Sequence, residues 1–93
     1  MGIQEKYFDL KKSKKAEEER WTLILHNDDV NTFDHVIESL VEVCEHDVYQ
    51  AEQCALITHY KGKCDVKHGR LPKLEPMLNE LHQRGLCATV NQN

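Results

Sequence analysis

Between Trp21 and Cys44 the apolar residues change period, and that change limits the folds open to the chain. In "WTLILH" (21–26), Trp21, Leu23 and Leu25 alternate with Thr22, Ile24 and His26. This is the two-residue period of a strand with one apolar face and one mixed face. From Phe33 onward, Val36, Ile37, Leu40, Val41 and Cys44 recur at steps of three and four, which makes one stripe along a helix. Only "NDDVNT" lies between the two segments. A strand that gives way to a helix so abruptly must set both apolar faces against one core.

The rest of the chain continues the alternation of strand and helix signals. Asn31 is the expected N-cap of the first helix, with Asp34 at N3 near the positive end of its dipole. Asp47 and Gln50 resemble a capping box for a second helix, which carries Val48, Ala51, Ala55 and Thr58 along one side and Cys54, Leu56 and Ile57 beside them. Gly62 is the expected stop. "KCDVKHG" (63–69) alternates as a strand, and Leu71, Leu74, Leu78 and Leu81 mark a third helix ending at Gly85. Pro72 and Pro76 place that helix's first turn near them. "LCATVN" (86–91) closes as a strand. The order β-α-α-β-α-β predicts an α+β fold, a small sheet covered by helices on one face.

Residues 1–20 hold six basic and five acidic side chains, few apolar residues and no period, and read as a flexible N-terminal extension. The folding unit is then 21–92. Residues 21–93 hold six Lys/Arg against eleven Asp/Glu, an acidic body that argues against nucleic acid as a partner. No stretch is long enough to span a bilayer and the N-terminus lacks the apolar core of a secretory signal, so no membrane partner and a cytoplasmic location are expected. Cys44, Cys54, Cys64 and Cys87 form no C-x-x-C and read as free, mostly buried thiols. No apolar stripe lacks a core to bury it, which predicts a monomer.

Asn27, Asp28 and Asp29 stand together at the strand-to-helix junction, where two adjacent carboxylates exceed what a turn requires. Such a loop can turn the chain and cap a helix. It can equally hold a cationic group rich in N–H donors, since Asn offers donor and acceptor and ionised Asp only accepts. A free α-amino group, with a pKa of about 7.7–8.0, is one such ligand. The run lacks the central Gly of a calcium loop, and the histidines at 26, 35, 46, 59, 68 and 82 show no zinc spacing, so neither metal nor cofactor is expected. No cysteine lies in a Gly-rich elbow and there is no phosphate loop or dinucleotide fingerprint, which points away from an enzyme.

Taken in order, "LILHNDDVNTFDHVIESL" and "AEQCALITHYKGKCDV" resemble the ClpS-type adaptors of the Clp AAA+ protease. N-D-D followed about thirty residues later by H-Y-x-G-K carries the resemblance, which spans roughly residues 21–91. It implies a three-stranded antiparallel sheet with three helices and an N-recognin function. Such adaptors bind proteins with an N-terminal Leu, Phe, Tyr or Trp and deliver them to a Clp AAA+ unfoldase through its N-terminal domain. By position, the resemblance assigns Asn27, Asp28 and His59 to the substrate's α-amino group. It assigns Phe33, Val36, Ala55 and Leu86 to the side-chain pocket, and Asp29 and Asn31 to the rim and substrate backbone. Tyr60 and Lys63 are candidates for unfoldase docking, and the extension is implied to be engaged during handover. The chain departs from the family where Val30-Asn31-Thr32-Phe33 replaces a run such as Tyr-Thr-Pro-Met, where Ala55 replaces a gating Met, and where His35 replaces a residue that is often aromatic. Admission of Ile or Val is therefore open. Two rival readings are an interaction module of the same class, such as a ribosomal stalk-protein C-terminal domain, and a Cys/His metal or redox module.

Overall fold

The computed structural model describes residues 20–93, so the expected extension lies, but for Arg20, outside the described residues. Six elements follow one another: β1 (Trp21–His26), α1 (Phe33–Cys44), α2 (Val48–Lys61), β2 (Lys63–Gly69), α3 (Leu71–Gln83) and β3 (Cys87–Gln92). The strands form one antiparallel sheet in the order β2-β1-β3. This is the expected α+β architecture, with the most apolar strand at the centre.

The two periods meet in a single core. Leu23 and Leu25 of β1, Val66 of β2 and Ala88 of β3 pack against Leu40 and Cys44 of α1, Ala51 and Cys54 of α2, and Leu74, Met77 and Leu81 of α3. On the other face of β1, the Thr22 hydroxyl donates to Asn93 Oδ1 at 2.6 Å and lies 3.0 Å from His68 Nδ1. The register of β1 with β2 shifts between Leu23 and Ile24, which pair with Lys67 and Asp65 and leave Val66 unpaired. A bulge frees a backbone carbonyl. Buried His46 meets that need, its Nε2–H donating to Val66 O at 2.6 Å. Lys67 Nζ in turn donates to Cys44 O at 3.1 Å, a cation at the C-terminus of α1.

Local expectations fail at several positions. Thr32, not Asn31, caps α1: it is extended and its Oγ1 accepts the His35 N–H at 3.1 Å. Asn31 is unavailable because its side-chain amide is engaged elsewhere. Pro76 lies inside α3, with Pro72 taking the first turn. Val48, Leu56 and Ile57 stand exposed with Tyr49 and Tyr60, because α2 buries only the narrow side bearing Ala51, Cys54, Ala55 and Thr58. This helix therefore leaves apolar side chains uncovered, contrary to the expectation that every apolar stripe is buried.

Gly62 ends α2 at φ +93°, its N–H bonded to Thr58 O at 2.9 Å. A Cβ there would meet nothing within 4 Å, so only the backbone conformation demands glycine. Gly62→Ala is expected to cost about 1–2 kcal/mol, read as a lower urea midpoint at unchanged slope. No loss would mean that the turn relaxes.

Candidate functional site

The loop between β1 and α1 is held from three sides. Asn27 N–H donates to Gly62 O at 2.9 Å, fixing the loop's entry against the end of α2. Asp28 Oδ1 accepts the N–H groups of Val30 and Asn31 at 2.9 and 2.8 Å, and Oδ2 accepts Asn31 Nδ2 at 2.9 Å. Asn31 Nδ2 also donates to Gly85 O at 2.9 Å, tying the loop to the turn before β3. His35 Nε2–H adds a bond to Arg84 O at 2.8 Å, and Arg84 is itself paired with Glu42 at 2.7 Å and Glu80 at 3.3 Å. Asn31 and His35 are thus clasps between the start of α1 and the α3–β3 turn.

Partial burial works against the charge on Asp28. The bonds from Asn31 and Val30, aided by His35 nearby, outweigh it and hold the carboxyl below its ordinary 3.8. The group is ionised throughout the neutral range. Its three internal bonds use part of the acceptor capacity of a carboxylate, which has about four lone-pair sites. The acidic corner therefore turns the chain and still presents negative charge.

That charge lies at the mouth of a cavity of about 370 Å³, counting the space at its open side. Phe33 and Val36 from α1, Ala55 from α2 and Leu25 from β1 supply the apolar lining; Asn27, Asp28, Asn31 and His59 supply polar groups. The ring of His59 lies 5.3 Å from that of Phe33, at 60°, and 4.9 Å from that of Tyr60. Ala55 is 3 % exposed. The arrangement couples an anionic, hydrogen-bonding mouth to a small apolar hollow, the chemical character of a ligand site.

Most of the residues singled out from the sequence meet in this hollow, but not all. Leu86 is 4 % exposed in the core and does not line the cavity, because it precedes β3 on the inward side, and its N–H bonds Leu81 O. Asp29 is exposed on the loop outside the lining. Tyr60 and Lys63 lie exposed at the α2–β2 turn. Leu25, His26 and Thr58 line the cavity without having been expected there. The first two directly precede the acidic corner, and Thr58 lies one helical turn from Ala55, a proximity in sequence that could have identified them.

Among the described residues, no group of three or more His, Cys, Asp or Glu side chains is placed to hold a metal ion. The cysteines are free. Burial pushes the Cys44 thiol up to about 11 and the Cys64 thiol up to about 12, and it raises that of Cys54. These three are protonated at neutral pH and poor nucleophiles.

A family model described as ATP-dependent Clp protease adaptor protein ClpS matches residues 16–89. The chain belongs to the ClpS family. The ClpS adapter protein of Streptomyces avermitilis is 30 % identical over 73 residues, covering 78 % of this chain and 70 % of its own. That of Nocardia farcinica is 28 % identical over 78 residues, covering 84 % and 74 %. The structure of Agrobacterium tumefaciens ClpS2 bound to L-phenylalaninamide superposes with a TM-score of 0.70 at 17 % identity, over 82 % of this chain and 99 % of that one. It shares the fold. This ClpS-type chain is thus a Clp protease adaptor, and none of its described helices is long and apolar enough to cross a membrane.

Proposed function

We propose that this ClpS-type adaptor binds proteins whose first residue is large and hydrophobic (Leu, Phe, Tyr or Trp) and presents them to a Clp AAA+ unfoldase in the cytoplasm. One observation carries the reading: the ionised Asp28, with Asn27 and His59, stands at the mouth of a hollow lined by Phe33, Val36 and Ala55. Asn27, Asp28 and His59 hold the substrate's ammonium group, and the first side chain enters the hollow. Asn31 shapes the mouth through its bonds to Asp28 and Gly85. The ligand named for the Agrobacterium relative, L-phenylalaninamide, has these same two parts, a free α-amino group and an apolar ring. Residues 1 to about 18 act as the extension engaged by the unfoldase, and the exposed Tyr60 and Lys63 are the points that dock on its N-terminal domain. Catalysis has no place in this scheme.

The energetics suit capture followed by release. Burying a Leu or Phe side chain contributes about 1.5–3 kcal/mol, and each hydrogen bond to a charged group about 1.5–3 kcal/mol. After the cost of ordering a peptide end, binding of roughly −8 kcal/mol, about micromolar, is expected. A labelled ten-residue peptide beginning with Phe is expected to give saturable fluorescence anisotropy, while its N-acetylated twin gives none. The acetyl group removes the charge and leaves the acceptors at the mouth unpaired. Affinity for the free form should fall as pH rises through about 7.7–8.0, where the ammonium loses its proton. Equal binding of the two peptides would remove the clamp from the reading.

A further inference from the structure

Thr58 belongs neither to the polar mouth nor to the apolar lining. It lies on α2 one turn after Ala55, lines the cavity and is 5 % exposed. Its hydroxyl donates to Cys54 O at 2.7 Å, and that bond takes the only proton the group has. What Thr58 can still offer a ligand is an acceptor. His26, the other polar residue in the wall, has its Nε2 engaged with the Thr89 hydroxyl at 2.7 Å. A hollow for purely apolar side chains would be served as well by valine, which has the shape of threonine without the oxygen.

We infer that Thr58 sets a preference within the hydrophobic class, favouring first residues that carry a hydrogen-bond donor on an aromatic ring, tyrosine and tryptophan, over phenylalanine and leucine. This deepens, and rests on, the proposed reading of the hollow as the site of the first side chain. Taking a tyrosine O–H or an indole N–H out of water without a partner is costly, which is why such groups find partners when buried. An acceptor in the wall removes that cost for Tyr and Trp and gives Phe and Leu nothing. Ala55, on the same side of the helix, is the small residue next to Thr58 in the wall.

The test compares free-amine peptides that differ only in the first residue (Tyr, Phe, Trp, Leu), titrated against the full chain and against Thr58→Val and Thr58→Ser. Tyr should bind the wild type about three- to tenfold more tightly than Phe, the range expected of one neutral hydrogen bond. The Tyr/Phe ratio should collapse towards one in Thr58→Val and survive in Thr58→Ser, which keeps the oxygen. A wild-type ratio of one or less overturns the inference without recourse to any variant. A preference that survives in Thr58→Val, or is lost equally in both variants, also overturns it and leaves the cavity reading standing. If none of the four peptides binds the wild type, the cavity reading itself fails and this inference fails with it.

Discussion

Replacing Asp28 with asparagine is expected to weaken binding of a Phe-initiated peptide by about 1.5–3 kcal/mol, roughly ten- to a hundredfold, the value of a hydrogen bond to a charged group. Asparagine is a better probe than alanine. Asp28 accepts three bonds from its own loop, so Asp28→Ala would confuse loss of the clamp with loss of the turn. An asparagine oxygen can still accept the Val30 and Asn31 N–H groups. Its amide would face the Asn31 amide, donor against donor, so a stability loss of about 1 kcal/mol is expected beside the larger loss in affinity. Folding lowers the Asp28 pKa below 3.8. The carboxylate's contribution to stability is therefore complete above the unfolded value and is lost only as pH falls through the lower, folded one. The stability gap between wild type and Asp28→Asn should be flat at neutral pH and close only in strong acid. Unchanged peptide affinity in isothermal titration would leave Asp28 a turn residue and nothing more.

The largest effect on the fold is expected at Leu25, which is 1 % exposed on the inward face of the central strand. Leu25→Ala should destabilise the domain by about 2–5 kcal/mol, the range for truncating a buried leucine. Against a total of about 5–15 kcal/mol for a small domain, that is a large fraction. Leu25 also lines the cavity, so the truncation joins a core defect to the binding hollow. Urea denaturation should show the midpoint falling with little change in slope, and Leu25→Val should fall less. A loss under about 1 kcal/mol would mean that the hollow collapses onto the gap, and peptide affinity should then drop instead.

Much of this was legible in order along the chain. The shift from a two-residue to a 3.6-residue period at Asn27, the cap at Asp47 and the stop at Gly62 are local, each depending on residues within a few positions of itself. They determine the six elements, and the pairing of N-D-D with H-Y-x-G-K carries the family. Local patterns mislead where an equally suitable partner lies far off in the chain. Asn31 reads as an N-cap, but its amide is taken by Asp28 and by Gly85 O, 54 residues away, and Thr32 caps instead. The family resemblance, too, places Leu86 in the pocket, whereas the turn into β3 directs it into the core and away from the cavity lining.

The sequence by itself therefore determined which segments are strands and helices, where they stop, and which residue types meet near the acidic corner. Only the tertiary structure decided which apolar residues are covered, since the stripe on α2 is wider than the surface the sheet offers and Tyr60 remains 78 % exposed. It also decided that Thr58 enters the hollow and Asp29 does not. A helix's period places residues on a face, but which part of that face meets a partner depends on how the element is rotated and set against its neighbours. That setting is fixed by contacts distant in the chain: Asn27 with Gly62, Asn31 with Gly85, and His46 with the bulge at Val66.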